Sequence, residues 1–200
     1  MKITKTNKAT IAAVAAACAL GLLSHASLAA TEVAGIKLDD AATVGNQRLV
    51  LNGAGIRYKA IFKVYVAALY LPQKKETLKE IIALPGAKRV SVVMLREVSS
   101  DDLGDAMITG IRKNSTPEET RRFGLQLIRM GDIFGKIPKL KKGESFSVDW
   151  VPGSGTVVIV DGKPVAEPIP DEAFYDAILK IWLGDDPADS NLKPAMLGTK

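Results

Sequence analysis

Two residues in the run LNGAGIRYKAIFKVYVAALYL, Leu51 to Leu71, carry chemistry that the aliphatics around them lack: Arg57 and Tyr65. One reading places Arg57 at an edge or turn, reaching solvent. The other uses spacing. If the run is one extended strand, rather than one that turns or bulges at Ala60-Ile61, positions eight apart point the same way, so Arg57 and Tyr65 would face one cavity. A guanidinium is a two-pronged donor matched to a carboxylate and stays charged when buried. A phenol adds a third donor while its ring lines the wall. On this second reading the pair would form a clamp for a carboxylate. Tyr58 and Tyr70 read as packing residues, and Trp150 and Trp182 as core.

Other chemistries are excluded by where reactive residues fall. MKITKTNK, ATIAAVAAACALGLL and SHASLAA form a basic, an apolar and a small-residue segment, the layout of a secretory signal peptide. Cleavage is expected after Ala29, giving a leader of residues 1–29, a single domain of residues 30–200 and a periplasmic or secreted product. The one Cys, Cys18, and the one His, His25, leave with it. What remains has no disulfide, no thiol nucleophile, no imidazole base and no His or Cys metal ligand. No metal, cofactor or catalytic residue is assigned. Three lysines also leave and no acid does, so the formal charge falls from +5 to +2. The remaining cations are interspersed with acids, apart from the short KIPKLKKGE loop, which excludes an extended nucleic-acid face. No further apolar run is long enough to span a membrane.

The elements that must position Arg57 and Tyr65 follow from patterning. Short alternating runs are separated at Asp39-Asp40 and Asn52-Gly53. FKVYVAALYL reads as a strand stopped by Pro72, and Lys88 to Leu95 as another. Ser99 or Ser100 caps a helix whose face holds Leu103, Ala106, Met107 and Ile111. A second helix begins with a capping box, Thr116 to Glu119, and Pro117 at its first position; Phe123, Leu127, Met130 and Phe134 form its buried stripe. SFSVDWV and GTVVIV read as antiparallel strands, with an Asp161-Gly162 hairpin turn after them. A last helix presents Phe174, Ile178, Ile181 and Trp182 and ends at Gly184. Strands, helices, strands and a helix in that order argue for α+β, with helices on one face of an antiparallel sheet.

Taken together, LNGAGIRYKAIFKVYVAALYL, VSSDDLGDAMITGI, LKKGESFSVDW, GTVVIVDGK and FYDAILKIWLGDDPADSNLKPAMLG resemble, in that order, the chalcone isomerase-like proteins, most of all their bacterial exported members. The resemblance covers residues 45 to 198. It implies an open-faced β-sandwich, a large antiparallel sheet with a helical layer and a cleft between them. In the plant enzymes that cleft cyclises a chalcone; in the fatty-acid-binding branch it holds a fatty acid, its carboxylate gripped by Arg and Tyr. Arg57 matches the shared arginine, and Tyr65 falls where the binders carry tyrosine and the enzymes threonine. Leu103, Gly110 and Ile181 stand where the enzymes carry polar residues, which argues against chalcone cyclisation. The implied ligand-binding set is Arg57 and Tyr65 with an apolar wall of Leu103, Met107 and Ile181. Three functional classes follow: a non-catalytic binder of a fatty acid or similar carboxylate, an isomerase or lyase using Tyr65 as acid-base, and an interaction module with a filled cleft. Oligomeric state is left open.

Overall fold

The computed structural model describes residues 31–137 and 139–200, so the expected leader and cleavage site lie outside the described residues. A short hairpin, β1 (Thr31–Val33) and β2 (Ile36–Leu38), precedes β3 (Ala41–Val44) and the long strands β4 (Gln47–Lys59) and β5 (Phe62–Leu71). Then come α1 (Leu78–Ala83), β6 (Lys88–Met94), α2 (Ser100–Lys113), α3 (Pro117–Arg122) and α4 (Gly124–Lys136). The chain closes with β7 (Ser145–Val151), β8 (Gly155–Val160), β9 (Lys163–Pro164), α5 (Glu172–Leu183) and α6 (Leu192–Met196). Strands β3 to β9 form one antiparallel sheet in sequence order. It curls, bringing the β3–β4 turn at Gly45 against Val151 at the end of β7.

Alternation assigns the two faces. On β6 every second residue, Lys88, Val90, Val92 and Met94, is buried beneath the helical layer. The buried side chains of α1, α2, α4, α5 and α6 all belong to that same core, so the helices lie on one face, as expected. Phe134 of α4 meets Phe146 of β7 edge-to-face, with centroids 5.7 Å apart. The opposite face holds a smaller core, in which Val66, Ala68 and Tyr70 pack with Leu38 and the hairpin residues Val33 and Ile36.

Three local expectations are revised. Asn52-Gly53 is no turn: both lie inside β4, where Asn52 is the extra residue of a bulge. Its amide donates to the Met196 and Lys75 carbonyls at 2.8 and 2.9 Å, long-range bonds that outweigh the local turn preference. The helix opened by the Thr116 capping box breaks at Phe123 into α3 and α4. Tyr58 is not a packing residue; it is 40% exposed, while Tyr70 is buried as expected. Ser99 is the cap of α2, and the Asp161-Gly162 turn forms with both residues at positive φ.

Beneath α5 the sheet contributes a fully buried lysine, Lys88, whose Nζ lies 3.3 Å from Glu172. Asp176, one turn along α5 from Glu172, has an unpartnered buried oxygen, and burial pushes its carboxyl up to about 6 against the pull of Lys88. The folded chain thus holds this proton more tightly than the unfolded chain, which releases it near pH 4. Its contribution is complete below about pH 4 and is lost as the pH rises through about 6. The loss is about 1–2 kcal/mol after allowance for partial exposure. Urea unfolding across this range should show the decline, and Asp176→Asn should flatten it relative to the parent chain.

Candidate functional site

Arg57 and Tyr65 do meet, by a route other than one continuous strand. The chain reverses at Ala60-Ile61, with Ala60 at φ 54°, and Arg57 and Tyr65 become direct cross-strand partners on β4 and β5. Their shared face follows from pairing across a hairpin rather than from spacing along a strand. Val64 is the extra residue of a second bulge, between the Arg57–Tyr65 and Tyr58–Lys63 pairs. A bulge re-aims side chains, and here both Val64 and Tyr65 turn toward the helical layer.

Between that face, α2 and α5 lies a cavity of about 350 Å³. Arg57, Tyr65, Leu103, Met107 and Ile181, the five residues singled out from sequence, all border it. So do Val64, Met94, Phe146 and Trp182, which sequence reasoning assigned to strands or core. The walls are mostly apolar. Charged residues on the lining include Lys59, Asp102 and Asp105, with Lys113 and Asp186 bridged to each other at 3.2 Å. The volume lies in the range of ligand pockets and speaks against a cleft filled by its own side chains.

Gly110 explains part of the shape. A methyl group there would lie 2.9 Å from Ile181, so the glycine lets α5 approach α2 closely. On the sheet side Gly53, Gly55 and Arg57 project from one face of β4, and the two glycines receive α6. Asp189, just before α6, accepts from the backbone N–H groups of Asn191 and Leu192 with one oxygen and of Tyr58 with the other. That loop is therefore tied to β4 next to Arg57.

The polar pair itself is arranged as a stack. The Arg57 guanidinium carbon lies 5.4 Å from the centroid of the Tyr65 ring, a cation–π contact. Among the described residues Arg57 has no ion pair, and its buried Nε has no hydrogen-bond partner. The Tyr65 hydroxyl accepts from Trp182 Nε1 at 2.9 Å, which leaves the phenolic proton available to donate. Burial raises the Tyr65 pKa, more than Arg57 and the indole bond lower it. Such a phenol is a donor at neutral pH; a general base is best with a pKa near the working pH. Trp182→Phe, which removes the indole donor, should cost about 1–2 kcal/mol in urea unfolding. It should also move the phenol titration, followed by ultraviolet absorbance, to still higher pH.

A cation with an unused buried donor, a neutral phenol and an apolar cavity can orient an anionic head and shelter a hydrocarbon tail. A comparison with the curated proteins finds no match. Among solved structures, the chain is similar to the crystal structure of a fatty-acid binding protein from Arabidopsis thaliana. The TM-score is 0.61 and the identity 14%, covering 82% of this chain and 92% of that one, a likeness of fold. The family model described as chalcone isomerase-like matches residues 30–198. Spanning the whole described fold and every residue of the cavity, that match shows that the chain belongs to the chalcone isomerase-like family.

Proposed function

We propose that this protein is a non-catalytic binder of a fatty acid or similar apolar carboxylate, held in the cavity between sheet and helices, and that it acts after export to the periplasm. The observation that carries the reading is the buried, unpartnered Nε of Arg57 at a cavity of about 350 Å³ with mostly apolar walls. An orphaned buried donor is costly, and a bound carboxylate would satisfy it. Asp189, whose charge bears on Tyr65, has both oxygens engaged by backbone N–H groups. Arg57 has no ion pair among the described residues, which leaves the cation for a ligand. Burying about ten methylenes contributes ~8 kcal/mol before ordering costs, so the tail supplies most of the affinity, while the anchor sets orientation and adds the rest. The structural neighbour from Arabidopsis, a fatty-acid binding protein, supports the same reading.

The test is mass spectrometry of small molecules released when the purified protein is denatured, with Arg57→Ala as the control. A stoichiometric carboxylic lipid, lost in the variant, is the expected result. A protein that is empty and takes up no added fatty acid would overturn the proposal.

A further inference from the structure

The turn joining β4 to β5 carries side chains that packing does not explain. Ile61 at its tip is 84% exposed and Phe62 is 56% exposed, with Tyr58 beside them. Other turns of the same sheet are built from residues that turns favour, Gly45-Asn46, Gly153-Ser154 and Asp161-Gly162. An isoleucine and a phenylalanine held in water at a hairpin tip are a cost to solubility with no return in the core.

Cations surround them. Lys59 and Lys63 flank the tip in sequence, and the Arg96 guanidinium lies 5.3 Å from the Phe62 ring centroid. Among the described residues none of these three has an ion-pair partner. The acids nearby are otherwise engaged: Glu97 accepts from Lys139 at 2.9 Å, and Asp102 accepts from the Ser99 hydroxyl at 2.7 Å. The tip also lies beside a second cavity. Lys59 and Arg96 border a lobe of about 230 Å³ that shares Arg57, Lys59 and Val64 with the main cavity.

We infer that the β4–β5 tip docks this protein on the surface of an anionic lipid bilayer. Ile61 and Phe62 enter the boundary between headgroups and acyl chains, while Lys59, Lys63 and Arg96 meet lipid phosphates. Two apolar side chains ringed by cations suit an interface where lipid supplies both an apolar layer and negative charge. They fall far short of the ~800 Å² per partner that a stable protein–protein contact buries. Docked this way, the cavity opens toward the membrane, and an amphiphile passes between bilayer and cavity without crossing bulk water. This role in loading rests on the binding function proposed above; the docking itself does not.

Residues 30–200, which contain the whole family domain, are sedimented with vesicles of phosphatidylethanolamine and phosphatidylglycerol, and separately with phosphatidylcholine. Omitting the apolar leader keeps it from contributing. Binding is expected to the anionic vesicles and to fall as salt is added. Ile61→Ser/Phe62→Ser should weaken it at least about tenfold and Lys63→Glu about fivefold or more. All three positions are exposed or lie outside the cavity lining, so fatty-acid uptake in solution should persist. Phe62→Trp should blue-shift in emission on adding anionic vesicles, above the constant signal of Trp150 and Trp182. The inference is overturned if the parent chain stays in the supernatant, if the Ile61→Ser/Phe62→Ser variant sediments as well as the parent, or if that variant instead changes oligomeric state. Arg57→Met separates the two proposals: it should lose fatty-acid uptake yet still dock. A parent chain that docks but takes up no fatty acid sinks the binding function alone.

Discussion

Arg57→Met is expected to weaken binding of a long-chain fatty acid about 100-fold, or ~3 kcal/mol, while leaving the unliganded protein at least as stable as before. The first effect follows from removing one partner of a charge-assisted pair in a mostly apolar site, which strands the carboxylate. The second follows from the same geometry in the absence of ligand. Arg57 Nε is buried without a partner, a desolvation cost of about 1–3 kcal/mol that methionine does not incur. Against this stands the cation–π contact with Tyr65, about 0.5–1 kcal/mol, part of which a thioether on the ring face restores. The methyl ester of the same fatty acid should bind parent and variant alike, since it has no anion to lose. Isothermal titration with acid and ester, alongside urea unfolding, completes the cycle. Equal affinities of parent and variant for the acid would remove Arg57 from the site. A marked loss of unliganded stability would mean that the arginine serves the fold.

Gly53→Val should be the most damaging substitution for the fold among these, costing about 3–5 kcal/mol. A Cβ at this position would overlap the Ala195 carbonyl oxygen and lie 2.8 Å from that of Met196 and 2.9 Å from the Gly198 nitrogen. All three are backbone atoms of one segment, so no flexible side chain can give way. Relief requires α6 to lift off β4, which exposes Leu192 and Met196, now 1% and 0% accessible, and breaks the Asn52 bond to Met196. The loop before α6 is tied to β4 through Asp189 and Tyr58, so the wall beside Arg57 should loosen as well. Urea midpoints and proteolysis of the C-terminal segment report the change. Gly124→Ala is the control: at the first position of α4 a methyl group meets nothing within 4 Å, and the helix should gain up to about 1 kcal/mol. If Gly53→Val costs no more than about 1 kcal/mol, α6 is not seated as described.

Residue chemistry and local period alone determined a good deal of this protein. Loss of Cys18 and His25 with the expected leader rules out thiol and imidazole chemistry for residues 30–200 whatever the fold. The 3.6-residue stripe of α2 put Leu103 and Met107 on one face, and the two-residue period of β5 put Tyr65 with Ala67 and Leu69. Ser99, the Thr116–Glu119 box and Asp161-Gly162 are short-range signals, satisfied within a few residues, and the structure honours each of them.

Tertiary structure decided how those pieces meet. Ala60-Ile61 has no turn signature, because alanine and isoleucine gain nothing locally from reversing the chain; pairing of β4 with β5 over their whole length imposes the turn and sets Arg57 opposite Tyr65. Asn52-Gly53 has a strong turn signature and makes no turn, because α6, more than 140 residues later, takes the glycine's empty space and the asparagine's amide. Trp182 reads as core from its helical stripe, and only the approach of α5 to β5 makes its indole the donor to Tyr65. Each of these depends on groups far apart in the chain. Spacing along the sequence specifies which side chains share a face of their own element, whereas partners across elements are chosen by the packing of the whole.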